Sequence, residues 1–270
     1  MQPNDQTLRL AKLLADARRS GVRLTAVPAD LMPANGDEAD LVQDAQAAFL
    51  GAVAAYKVTQ IGRAPGVWGA IFSSGLSDRP ERVLIPGAGI KVECEIAFVL
   101  AADLPGRPDG RDYQRDEVEA AIAGAVVAVE ILQDRLPAEP PPAEPLVRAN
   151  SLGNFGLVAG ARFGDWHSVA VPKAYAVDMR VSERAVVTGH HLHPSGVDPL
   201  HPVVWLANAL CRRAGGLRAG QVVTTGALGG AHPAGMGDRV QAMVEGQGAI
   251  DFVLAEQGDV PHHHAWSSGI

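Results

Sequence analysis

Two glutamates stand two residues apart in KVECEIAFVL, residues 91–100. Strand alternation puts Glu93 and Glu95 on one face, with Cα atoms roughly 6.5–7 Å apart, and Val92, Cys94 and Ile96 on the other. Burying one carboxylate in an apolar strand is expensive, and burying two side by side costs more. A divalent cation reverses that cost, because each carboxylate lends an oxygen and the ion cancels the charge. Oxygen-only ligation suits Mg²⁺, Mn²⁺ or Ca²⁺ rather than zinc. Two carboxylates are few for a tight calcium site, so a third acid is wanted. Glu130 offers one from AVVAVEILQ, the most apolar run of the chain. Spacing alone leaves an alternative: a half-exposed sheet with both glutamates in water, paired with arginines. Lys57, in AAYKVTQIG, is one of only four lysines beside 19 arginines. A lysine in an apolar strand either snorkels from the strand end or is kept for its charge.

The elements that must position these groups follow from pattern. Residues 6–19 carry leucines and alanines at helical spacing, stopped by Ser20-Gly21, and a second helix is expected over 38–53. Strands are expected at AAYKVTQIG, GVWGAIFSS, RVLIP (a short edge strand) and IKVECEIAFVLAADL. DEVEAAIAGA reads as a helix that runs into the β-branched strand VVAVEILQDR. Residues 136–145, LPAEPPPAEP, read as a loop. Strands FGLVAGARF, KAYAVDMRV and AVVTG follow, then the amphipathic helix HPVVWLANALCRRA. QVVTTGAL, DRVQAMVEG and AIDFVLA close the chain as strands. The pattern predicts one α+β domain over 1–270. It has an N-terminal helical flank to about residue 55, a bent or barrel-like mixed sheet over about 56–256, and a disordered tail at 257–270.

Composition narrows the function. A chain of 270 residues with 47% hydrophobic content can bury a sizeable core. A formal net charge of −7 argues against nucleic-acid or membrane-surface binding. Two cysteines, Cys94 and Cys211, make no disulfide framework. No apolar signal core and no run near ~18 apolar residues is present, so a cytoplasmic, soluble protein is expected. Cys94 reads as a small core residue. His190, His191, His193, His201 and His232 read as solvated or hydrogen-bonding groups rather than a metal set, and His262 to His264 as part of the tail. No Gly-x-Ser-x-Gly elbow, P-loop or Gly-x-Gly-x-x-Gly follows a strand.

The order ARRSGVRL, AYKV, Glu-x-Glu-Ile-Ala-Phe-Val-Leu, VEILQDR, DPLHPVVWLANAL, GLRAGQVVTTGAL and GMGDRVQAMVEGQGAIDF resembles one family. It is the 2-keto-4-pentenoate hydratase and 2-oxo-3-hexenedioate decarboxylase branch of the fumarylacetoacetate hydrolase superfamily, and the likeness covers roughly residues 8–255. The resemblance implies a barrel-like rolled sheet, a homo-oligomer, and one Mg²⁺ or Mn²⁺ held by Glu93, Glu95 and Glu130. It implies Lys57 as the catalytic lysine and Thr225 and Gly226, with Arg135, around the substrate. The implied activity is a metal-dependent lyase, hydratase or decarboxylase. Its substrate would be a short unsaturated 2-oxo or 2-hydroxydienoic acid, converted through a metal-stabilised enolate, in catabolism such as that of aromatic compounds. Lys57 is then expected to be made more acidic by the cation and by desolvation.

The sequence departs from that family in places. APGVWGAIFSSG, after the lysine strand, lacks the family's acid, and Asp78 comes later. Ala227 replaces a serine after Thr225-Gly226. ILQDR keeps Arg135 but moves the neighbouring acid. HHLHPSGVDP, residues 190–199, looks inserted. Two rivals follow: a C–C bond hydrolase of an acylpyruvate-like substrate, and a non-catalytic homologue that binds a small acid or a partner subunit. The hydrolase would need a His–Glu pair near the metal, yet histidine is absent before His167.

Overall fold

The computed structural model describes residues 3–256 except 63, 164 and 214. The expected tail at 257–270 lies outside these residues. The helices are α1 (Asp5–Ser20), α2 (Gly36–Leu50), α3 (Arg115–Ala120), α4 (Glu144–Ala149) and α5 (His201–Cys211). The strands are β1 (Val53–Thr59), β2 (Val67–Phe72), β3 (Leu76–Asp78), β4 (Arg82–Ile85), β5 (Ile90–Leu100), β6 (Ile122–Gln133) and β7 (Asn154–Arg162), then β8 (Ala174–Val181), β9 (Arg184–Leu192), β10 (Val222–Thr224), β11 (His232–Ala234), β12 (Arg239–Val244) and β13 (Gly248–Glu256).

One mixed, curled sheet runs β2-β1-β10-β5-β6-β7-β3, with β11 also paired to β5. The second sheet runs β4-β13-β12-β8-β9, which puts RVLIP on an edge as expected. The faces of the first sheet differ in bulk. Phe98, Ile96, Cys94, Val127, Val129 and Ile131 belong to the main core with Met179, Val240, Phe252 and Leu254 of the second sheet and Leu206 of α5. The opposite face carries the smaller set Ala55, Ala97, Ala128, Ala159, Val126 and Val222. That face leaves room for polar side chains at its end. Cys94 is buried and points away from the glutamates, as alternation requires.

The α+β fold and the helical flank match the sequence reading, with shifts at the boundaries. The helix expected through residue 125 stops at Ala120, because β-branched Ile122 and the valines after it pair with β5. The last residues of the 136–145 loop open α4, whose first turn accepts Pro145. His190 and His191, read as loop, end β9 in register with Ala176 and Tyr175. No helix among the described residues is long and apolar enough to cross a membrane.

The flank is fastened at both ends of α1. Asn4 accepts the Thr7 N–H at the N-cap, and Leu10, Ala11 and Leu14 pack with Val42 of α2 and Leu146 of α4. Gly21 ends the helix at φ 67, and a Cβ there would lie 2.2 Å from the Pro86 carbonyl oxygen. Gly21→Ala should therefore lower unfolding stability by about 2–4 kcal/mol, from left-handed strain plus the steric conflict. Urea titration measures this, and an unchanged midpoint would show that the contact is not needed.

Candidate active site

β5 is paired on one edge along its whole length by β6, which sets Glu93 opposite Glu130. Its other edge is shared. β10 pairs at Ala97–Val99 and β11 at Ile90–Val92, so positions 93–96 lie between the two ladders. The chain from Thr225 to Gly230 crosses that gap, and Leu228 N–H donates to the Cys94 carbonyl at 2.8 Å. This break in the ladder brings backbone donors and hydroxyls beside the glutamates.

The gap organises Glu95. Its Oε2 accepts from the Thr224 hydroxyl and, at 2.7 Å, from the Gly226 N–H. Thr225 turns the other way. Its hydroxyl donates to the Ile96 carbonyl at 2.7 Å and lies 3.2 Å from His193 Nε2. Thr225 and Gly226, expected around a substrate, thus hold the turn that holds Glu95. His193 is buried against Ser195 Oγ at 2.8 Å, and burial lowers its pKa to about 4, so it stays neutral. The histidine-rich segment docks on this turn through His193 and Pro194, whose ring packs on Gly226, while His190 and His191 stay at the surface strand.

Oxygens of Glu93, Glu95 and Glu130 lie within 4.8 Å of one another, the only such acid, His or Cys group among the described residues. Lys57 Nζ is 2.9 Å from Glu130 Oε1, and Asn154 Nδ2 donates to that same oxygen at 2.8 Å. Glu130 Oε2 is buried without a hydrogen-bond partner. Burial first, and then the Glu130 charge, raises Glu93 to about 7; burial and the other two glutamates push Glu95 well up. Burial pulls the Lys57 pKa down, but the charges of Glu130, Glu93 and Glu95 outweigh it and leave it raised. Desolvation acts in the direction expected from sequence, and the three carboxylates outweigh it where no cation shares their charge.

The wall beyond Glu130 is the turn before β7. Ser151 and Leu152 adopt φ of 52° and 54°, uncommon for residues with a Cβ. The Ser151 carbonyl packs on Gly69 of β2, the residue paired with Lys57, where a Cβ would come within 2.7 Å of it. Arg135 is fully buried behind this turn. Its Nε donates to Asn150 Oδ1 at 3.1 Å and its Nη2 to the Asn154 carbonyl at 2.8 Å. Its bonds go to the turn, so the expected substrate contact becomes support for Asn150 and Asn154. Asp78 sits at the far edge of the sheet, paired to Arg79 at 3.1 Å, and cannot replace the missing acid. A cavity of about 550 Å³ lined by Gln60, Val197, His201, Val204, Trp205 and Asn208 involves none of the three carboxylates.

Sequence reasoning missed Thr224, Asn154 and Arg18, whose guanidinium reaches Asn154. The signal for Thr224 was its place across from Ala97 on the glutamate face. A polar residue opening an apolar strand was the signal for Asn154. Nothing local marked Arg18.

The raised glutamates have a consequence for stability. A carboxyl whose pKa is higher in the folded state keeps a proton that the unfolded chain releases. The metal-free protein is therefore progressively destabilised by Glu93 as pH rises from 4.5 through about 7. His193 acts in the opposite direction, but equally with and without metal. The gain in urea midpoint on adding Mg²⁺ over EDTA should thus grow between pH 5 and pH 7.5. A gain that is flat across that range would detach the cluster from metal binding.

Residues 53–254 match the fumarylacetoacetate (FAA) hydrolase C-terminal family. The chain is 31% identical over 180 residues to 2-hydroxyhexa-2,4-dienoate hydratase of Comamonas testosteroni, covering 64% of each chain. It is 29% identical over 167 residues to 2-keto-4-pentenoate hydratase 1 of Dechloromonas aromatica, covering 61% of this chain and 60% of that one. The matched stretch thus spans somewhat under two thirds of these curated relatives. The fold resembles 4-oxalocrotonate decarboxylase from Pseudomonas putida G7, complexed with magnesium and adipate. The TM-score is 0.76 and identity 22%, over 93% of this chain and 97% of that one. Together with the Glu-x-Glu strand and its third glutamate, the match over most of its length shows that this chain belongs to the fumarylacetoacetate hydrolase family.

Proposed function

We propose that the protein is a metal-dependent lyase, a hydratase or decarboxylase, acting on a short unsaturated 2-oxo or 2-hydroxydienoic acid. The observation that carries this reading is the cluster of Glu93, Glu95 and Glu130 with Lys57 against it. The donor set is all oxygen, and the partnerless Glu130 Oε2 is a buried acceptor in want of a cation, so the residues fit Mg²⁺ or Mn²⁺. The relatives named as dienoate and pentenoate hydratases support the substrate class.

When bound, the ion supplies a Lewis acid that polarises a 2-oxo group and favours negative charge at C2–C3. This chain's residues do the rest. Glu93, Glu95 and Glu130 hold the ion, with Thr224 and Gly226 fixing the direction of Glu95. Lys57, protonated by virtue of its three acidic neighbours, can bind the substrate carboxylate or deliver a proton to the carbon that acquires charge. Both hydration and decarboxylation need that electron sink, so one frame serves either.

Hydrogen bonds to the three carboxylates come from Lys57, Thr224, Gly226 and Asn154 among the described residues, and none from histidine. The hydrolase alternative therefore lacks its His–Glu pair. The retained cluster argues against a non-catalytic homologue. A cytoplasmic homo-oligomer completes the proposal, and exposed Leu192 on the edge strand β9 supports association.

Calorimetry with oxalate, a mimic of a chelating 2-oxo acid, tests the site. Oxalate should bind only with Mg²⁺ or Mn²⁺, and Glu95→Gln should weaken metal binding by about 100-fold or more. Absence of metal binding in the wild type would sink the enzyme reading. Lys57→Met should leave Mn²⁺ binding intact or tighter, since it removes a competing cation from Glu130. Turnover of dienoic or oxo-enedioic acids should fall by about 10²–10⁴-fold. Full turnover without Lys57 would remove it from the chemistry.

A further inference from the structure

Arg18 lies in α1, outside the family-matched region that begins at residue 53. Its side chain is buried, and no carboxylate contacts it among the described residues. The guanidinium lies near the rings of Phe72 and Phe155, with centroids at 5.4 and 5.8 Å. Its Nη2 donates to the Asn154 carbonyl and, at 3.1 Å, to Asn154 Oδ1. The other end of that amide, Nδ2, donates to Glu130 Oε1 at 2.8 Å.

An amide has one acceptor end and one donor end. With Arg18 on the oxygen, the nitrogen must face Glu130. Arg135 donates only to the backbone carbonyl of Asn154, and Nδ2 donates to the Gly156 carbonyl at 3.3 Å as well as to Glu130, so among the described residues Arg18 is the one donor that holds the oxygen end of the amide. Without it the buried amide oxygen loses its donor, and the side chain that donates to Glu130 is held from its nitrogen end only. A buried cation with no carboxylate partner is also a costly way to dock a helix, where an apolar residue would serve. Burial lowers the Arg18 pKa to about 10, and the charge that opposes this is that of Glu130.

We propose that Arg18 is a positioning residue of the carboxylate cluster: it fixes Glu130 through Asn154, so the N-terminal helix completes the metal site. This rests on the reading of Glu93, Glu95 and Glu130 as metal ligands. Lysine cannot reproduce the effect fully, because it lacks the fork that holds the carbonyl and the amide oxygen together.

The test is Mn²⁺ affinity of the full-length protein, read from the free-ion paramagnetic resonance signal. It uses Arg18→Met, Asn154→Leu, the double variant, and Leu14→Ala as a control that loosens the same helix. Arg18→Met should weaken Mn²⁺ binding about tenfold or more. The double variant should bind no more weakly than Asn154→Leu, because both changes cut one chain of bonds. Leu14→Ala should lower stability and leave Mn²⁺ affinity unchanged. The proposal is overturned if Arg18→Met binds like the wild type, if the two losses add, or if Leu14→Ala weakens binding as much. Should Arg18→Met fail to fold, Arg18→Lys takes its place, and wild-type affinity there, or failure of both to fold, also overturns it. A wild type that binds no Mn²⁺ is a separate outcome: the metal reading itself fails and this inference with it.

Discussion

Three carboxylates within 4.8 Å of one another cannot all be ionised and dry unless positive charge joins them. Much of the surrounding structure answers that constraint. Lys57 and Asn154 share one oxygen of Glu130, and Thr224 and Gly226 share one oxygen of Glu95. The buried cations Arg18 and Arg135 stand behind Asn154 and add positive charge without neutralising any acid directly. Three acids thus meet three buried cations, yet only Lys57 touches a carboxylate. Burial and mutual repulsion keep protons on Glu93 and Glu95 well above the usual carboxylate range, and at the centre Glu130 Oε2 has no partner. Within the proposed reading, a divalent ion at that point would take the place of those protons.

The backbone makes this arrangement possible in two ways. A strand paired continuously on both edges offers no free N–H to a side chain on its face. β5 avoids this because β10 and β11 each cover only part of one edge, and the turn between them delivers the Gly226 N–H to Glu95. On the face that carries the glutamates and Lys57, the strands place Ala55, Ala97, Ala128 and Ala159 among a smaller apolar set that also includes Ile71 and Leu157. Larger side chains go to the opposite face, which carries the main core. Strand alternation puts the charged side chains on the face opposite the main core.

Alternation is also why so much was legible beforehand. The i, i+2 spacing of Glu93 and Glu95, the single acid in the apolar run around Glu130 and the isolated Lys57 each have a local cost that one shared site relieves together. The turn roles of Thr225, Gly226 and Arg135 were less legible. Sequence position shows that such residues are near a site but not which way their donors point. Asn154 and Arg18 were hidden for a different reason. They are separated by 136 residues, and their meaning appears only when α1 packs beside the turn before β7. The α3 boundary was misplaced because local helix propensity in AAIAGA yields to pairing with β5, a tertiary effect.

The departures from the family pattern spare the residues that carry charge, since Glu93, Glu95, Glu130 and Lys57 all stand where the resemblance places them. The stretch after β1 has no acid, Asp78 is at the opposite edge of the sheet, and Ala227 has no hydroxyl. Among the groups that touch the three carboxylates, Lys57 carries a proton that its acidic neighbours hold, whereas Thr224, Gly226 and Asn154 do not titrate near neutral pH. Adding water to a distal double bond needs a group that orients that water as well as one that protonates carbon. Loss of CO₂ needs an electron sink and one proton donor. The cluster and Lys57 would supply the sink and the donor that both reactions share, so within the proposed lyase reading the step that separates hydration from decarboxylation is the orientation of water.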